Sequence, residues 1–329
     1  MTILNLYSKN WNHLDNPELG FMKGFSESIV KMENEATILL PDIRQGSTIF
    51  VGSDYSGQHN LARYESYTLL LADLENCGIW EARRQQVRQR YLSDGRRISY
   101  KDLRDKLRQH ALLPFLTAAN SIPGLLVTIL VNKKIDSLFE KEGRLDMDRS
   151  DLKEYRHWER GVFEKLLRVL HFVSFFVSGL SRPYQDVLWI TDEDEIMANS
   201  ARLKEVSEMF LRLCSHYLKH NLRHARIGTT KSDTGKRDIE DIVAVADLAA
   251  GALCQLLTDY QTLDWDLSSG LILPPPKMLP PKAKAIMDWL AENGQPLKRL
   301  VFVIDEIEQD GSRLKLRHIM FHGVPGSAG

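Results

Sequence analysis

Three aspartates stand where apolar stretches end or are interrupted, and they are the residues of this chain best placed to do chemistry. Asp247 breaks the otherwise uncharged run Ile242 to Leu257, Asp54 follows the apolar run Ser47 to Gly52, and Asp192 follows Val187 to Thr191. An ionised carboxylate in an apolar interior must be matched by a cation, hydrogen-bonded or protonated. Acids delivered by three separate elements suit a divalent metal ion, and three or four such acids are what hydrolysis of a phosphodiester by two ions needs, because water and phosphate positions must stay open. Glu193 and Asp194 follow Asp192, while Glu240 lies seven residues before Asp247 and shares its helical face, which Ala244 and Gly251 keep slim. The plainer alternative is that Asp192 to Glu195 merely starts a helix and that Asp247 pairs with an arginine.

The elements that must position these acids follow from hydrophobic periodicity. Ile49 to Asp54 and Tyr64 to Asp73 read as a hairpin, and Leu125 to Val131 and Val187 to Asp192 as buried strands, with a short segment at Ala225 to Thr229. Helices are expected at Phe21 to Met32, Ile79 to Tyr91, Lys101 to Ala119, Ile135 to Glu142, Lys153 to Leu180, Ser200 to Asn221, around Asp247, and at Ala283 to Ala291. Pro274 to Pro276 with Pro280 and Pro281 read as a stiff linker, followed by a hairpin of Arg299 to Ile307 and Leu314 to Phe321 turning at Asp310-Gly311. This order predicts an α/β protein with a mixed sheet flanked by helices. We expect three parts: a helical extension over 1–46, a central domain over 47–270, and a C-terminal appendage of helix and hairpin over 271–329, available for a protein partner or a second copy of the chain.

Bulk properties restrict the partners little. The chain has 329 residues, 43% hydrophobic and 26% charged, with a formal net charge of −1. Cys77, Cys214 and Cys254 lie far apart without a CxxC pair, which points to a reducing cytoplasm, and Met1 to Asp15 lacks a secretory pattern. The uncharged stretch Ala111 to Asn132 is broken by Pro114, Pro123 and Gly124, so it reads as core elements and no membrane contact is expected.

Charge is nevertheless unevenly distributed. Arg83, Arg84, Arg88, Arg90, Arg96, Arg97, Lys101, Arg104, Lys106 and Arg108 face only Asp94, Asp102 and Asp105 over the same stretch. Such a face attracts phosphate backbones, with Tyr91 and Tyr100 available for base stacking; the bland reading is a solvated helix or an acidic protein partner. His216, His220 and His224 recur at helical spacing near Cys214, but one helix rarely closes a zinc site, and an exposed basic face is the simpler account. No GxxxxGK[ST], GxGxxG or GxSxG pattern is present, which removes nucleotide triphosphatase, dinucleotide and serine-hydrolase readings.

Asp54, Ser56 and Gly57, then Tyr100-Lys101-Asp102-Leu103, Lys133 after its strand, Asp192, and Ala246-Asp247-Leu248-Ala249-Ala250-Gly251 occur in an order that resembles the "domain of unknown function 3800" family over about Ser47 to Leu257. That resemblance implies a ribonuclease H-like fold and a nuclease that holds Mg2+ or Mn2+ on carboxylates and acts on DNA or RNA. It implies Asp54, Asp192 and Asp247 as ligands and functional roles for Asn132 and Lys133, with Asp194 or Glu240, which the residue pattern places within reach, in support. The chain departs from the family pattern at Tyr55, where an acid is usual, and at Asn132, where an aspartate is usual. The alternative is therefore a catalytically degenerate relative that binds nucleic acid or serves as an assembly subunit.

Overall fold

The computed structural model describes residues 9–16, 20–140, 143–259, 271–272, 279–307 and 313–321. Runs of β-branched and large apolar residues form the central strands: β1 (Thr48–Ser56), β2 (Tyr64–Asp73), β3 (Gly124–Asn132), β4 (Asp186–Thr191) and β5 (Ala225–Thr229). The two-residue β6 (Leu271–Ile272) and the longer β7 (Leu297–Ile307) and β8 (Arg313–Phe321) follow. The order across the sheet is β5-β4-β1-β2-β3-β7-β8, with β6 beside β8. β1, β2 and β3 pair antiparallel, while β4 runs parallel to β1 and β5 parallel to β4. The expected mixed sheet flanked by helices is therefore present.

Helices cover both faces, which is why the strands read as nearly continuous apolar runs. On one face α1 (Phe21–Asn34), α4 (Arg160–Leu180) and α5 (Ser200–Tyr217) pack over Ile49, Val51, Leu69 and Ile129. On the other, α2 (Gly78–Tyr91), α3 (Lys106–Ala119), α6 (Asp238–Asp259) and α7 (Pro281–Leu290) pack over Phe50, Leu70, Leu126 and Val303. Alternate residues of each strand thus serve opposite cores. α6 is long and apolar enough to cross a membrane, yet 83% of its apolar stretch is buried inside the protein. It rides closely over β1, where a Cβ on Gly52 would meet Val243 Cγ2 at 3.5 Å.

Several expected elements differ, and in three of them a side chain supplies a backbone partner. The described residues of Ile135 to Glu142 form no helix: Glu164 of α4 accepts from Leu138 N at 3.0 Å and Arg168 donates to Ile135 O at 3.0 Å. Glu159 caps α4 by accepting from Gly161 N and Val162 N, which splits Lys153 to Leu180 into a short 3-10 turn and α4. Asp105 caps α3 through Leu107 N, so Lys101 to Asp105 is turn. α5 ends at Tyr217, so His216, His220 and His224 share no helix.

The C-terminal hairpin is no appendage. β7 pairs parallel with β3 along Gly124 to Val131, and Phe25 of α1 packs on Phe302 of β7 with ring centroids 5.1 Å apart. Both outer segments thus complete the same cores as the middle of the chain. The proline run Pro274 to Pro276, the turn at Asp310-Gly311, and Lys141 and Glu142 lie outside the described residues.

Candidate active site

Asp54 is delivered by strand alternation. Phe50 and Gly52 face α6, and Asp54 is the next residue of β1 on that side. Ser53 lies opposite Thr191 in the parallel β1–β4 pair, so Asp54 and Asp192 emerge together at the carboxyl ends of neighbouring strands, where α/β sheets characteristically bind ligands. α6 crosses this end and contributes Asp247 and, two turns earlier, Glu240. All four acids line one cavity of about 160 Å³, together with Arg97, Lys101, Asp102 and Thr230.

One oxygen of each of two acids is fixed. Asp247 Oδ2 accepts from Tyr100 N at 2.5 Å, and Asp192 Oδ1 accepts from the Thr230 hydroxyl at 2.8 Å. Tyr100 is pressed onto α6 at Gly251, where a Cβ would fall 2.4 Å from its ring, and its hydroxyl bonds to Gln255. Only glycine lets this loop come near enough for its N–H to reach Asp247.

The electrostatics are those of crowded acids. Burial raises the Asp54 pKa well above the carboxylate range, with further contributions from Asp247, Asp192 and Asp194, while Lys165 opposes. Asp54 keeps some exposure because it faces the cavity, but protein surrounds it otherwise. Asp247 is pushed up to about 6, again chiefly by burial and then by Asp192, against the Tyr100 N–H and Lys101. Oxygen-only donors under mutual repulsion are what a hard divalent cation relieves, so the donor chemistry fits Mg2+ or Mn2+. As they stand, no three His, Cys, Asp or Glu side chains among the described residues converge tightly enough to hold an ion, so binding would draw the carboxylates inward.

The other expected residues are distributed unevenly. Asp194 does not line the cavity; it caps a short turn through Ile196 N and pairs with Lys165 at 2.8 Å. Glu240 is held by Arg97 and Arg237. Asn132 lies two strands from Asp54 and donates to Asp305 Oδ1 at 2.9 Å. Lys133 braces the β1–β2 turn, donating to Gly57 O and His59 O at 3.3 and 3.1 Å. Tyr55 points to the opposite core, with its hydroxyl 2.8 Å from Ser53 Oγ, so the departure at this position removes no ligand from the cavity.

The basic stretch divides as well. Arg84, 2% exposed, is bound by Glu81, Asp238 and Asp241, and Arg88 is bound by Asp241. Expected to face phosphate, these two arginines instead join α2 to the start of α6. Arg83, Lys101 and Arg104 are exposed, and Arg97 is half-exposed over the cavity. Sequence reasoning missed Thr230, Arg237 and Lys282. Lys282 donates to Tyr100 O at 2.9 Å, and nothing in its local pattern marks it. No family model, curated protein or solved structure matches the chain.

Proposed function

We propose that this chain is a divalent-metal-dependent nuclease of ribonuclease H-like type, hydrolysing phosphodiesters in nucleic acid. The observation that carries this reading is the meeting of Asp54, Asp192 and Asp247, from β1, the end of β4 and α6, in one cavity rimmed by Arg97 and Lys101. The five strands β3-β2-β1-β4-β5 form the kind of mixed sheet that the sequence resemblance implies, and they support the same reading. Asp54, Asp192 and Asp247 would hold Mg2+ or Mn2+, which when bound supplies an activated water and neutralises charge developing on the phosphate. Tyr100 N–H and the Thr230 hydroxyl pre-orient two of these carboxylates. Arg97, anchored at the rim by Glu240, attracts the substrate phosphate.

Calorimetric titration of wild type and Asp247→Ala with Mn2+ and Mg2+, with cleavage assayed in the same buffers, tests the proposal. Loss of both metal binding and cleavage in the variant is expected; intact divalent-dependent cleavage by Asp247→Ala and Asp54→Ala overturns it. A catalytically degenerate binding subunit is the second reading, favoured by the lack, among the described residues, of a group of acids gathered closely enough to hold an ion. Salt-sensitive nucleic-acid binding without turnover, unaffected by chelator, is its signature.

A further inference from the structure

Three cations stand near the carboxylate cavity, and two of them, Lys101 and Lys282, feel the charge of Asp247 without closing an ion pair on it. Among the described residues, Lys101, Arg104 and Lys282 close no ion pair; Lys101 lines the cavity, Arg104 is exposed three residues on in the same turn, and Lys282 bonds to Tyr100 at the start of that turn. Lys282, at the start of α7, is fixed by its bond to Tyr100 O and sits 4.0 Å from the centre of the Tyr100 ring. Through the backbone of that one residue it is joined to Asp247, which Tyr100 N holds. The Lys282 pKa is lowered, first by burial and then by the charge of Arg104, while Asp247 opposes. Like charges beside a site for a polyanion are complemented by a further anion. Gly251 lies against the Tyr100 ring and Lys282 sits over it, so the ring is no stacking platform and the contact made here is to backbone rather than base.

We propose that Lys101, Arg104 and Lys282 form a second phosphate subsite, which takes the backbone phosphate next to the scissile one on a nucleic-acid strand. The adjective "scissile" rests on the nuclease reading; the subsite itself does not. It also gives the C-terminal segment a function, since Lys282 reaches the site only because α7 packs on α6.

The test is the salt dependence of affinity for a fluorescein-labelled oligonucleotide in EDTA, so that cleavage plays no part. Lys282→Met is expected to lower the slope of log affinity against log salt by about 0.7 on single strands or about 0.9 on duplex, alike for every sequence. Lys282→Arg should restore it. Arg104→Gln, at an exposed position that does not threaten folding, should lower the slope by a similar amount and covers the case in which Lys282→Met fails to fold. Unchanged slopes in folded Lys282→Met and Arg104→Gln overturn the subsite, even if the wild type cleaves with Mn2+. Full-slope binding by a wild type that never cleaves overturns the nuclease reading and leaves the subsite standing. A wild type that binds no nucleic acid overturns both.

Discussion

Asp54 and Asp247 are acids that the fold makes reluctant to ionise, because burial and neighbouring carboxylates penalise the charged form. A carboxylate whose pKa is raised on folding stabilises the fold while protonated. That contribution is complete below the unfolded pKa and is lost as pH rises through the folded value, about 6 for Asp247. The metal-free protein should therefore be more stable at pH 5 than at pH 7.5. Asp247→Asn should stabilise it at pH 7.5 by roughly 1–2 kcal/mol, the coupling between neighbouring acids keeping the gain below the full shift. Scanning calorimetry with and without Mn2+ checks this: the ion should raise the melting temperature of wild type and leave Asp247→Asn unmoved. A variant less stable than wild type at pH 7.5 would mean that Asp247 is a structural acid held by Tyr100.

Among the elements, the contact between the Tyr100 turn and α6 has the most direct consequence for the site. Glycine inside a helix is unfavourable by about 1 kcal/mol relative to alanine. Gly251→Ala should thus strengthen α6 in isolation, but its methyl group would strike the Tyr100 ring. Net destabilisation of about 1–3 kcal/mol is expected, as for other overpacked sites. Mn2+ affinity should fall about tenfold, in the range seen when an oriented ligand loses its supporting bond. Denaturant unfolding and metal titration on one preparation measure both. Wild-type metal affinity in a folded Gly251→Ala would show that Tyr100 N–H is not what orients Asp247.

For the molecule as a whole, the sheet does not divide at the proline-rich stretch. β7 covers the edge of β3, and Asp305 on β7 bonds to Tyr64 and Asn132 and pairs with Arg317 of β8. Deleting Pro274 onward would expose the whole buried strand Gly124–Asn132 as an unpaired apolar edge and leave those polar groups without partners. The truncated chain is expected to aggregate or remain unfolded, which gel filtration and circular dichroism would detect. A monomeric, cooperatively folding fragment would restore the view of the C-terminal segment as an appendage.

Local chemistry in the sequence was enough to determine the central strands, the mixed α/β class and three acids at apolar element ends, since burial on both faces writes itself as apolar runs and a carboxylate within such a run stands out. Element boundaries were less legible where distant side chains act. Glu164 and Arg168 serve the backbone of Ile135 to Leu138, and no periodicity records that debt. Tertiary structure alone decided which charges are already paired: Arg84 and Arg88 look like Arg97 and Lys101 in sequence, but Asp241, more than 150 residues away, claims the first two. It also brought Thr230 and Lys282 to the site and inserted β7 beside β3. Those are contacts between segments far apart in the chain, set by strand pairing and helix packing, and a residue's own neighbours carry no trace of them.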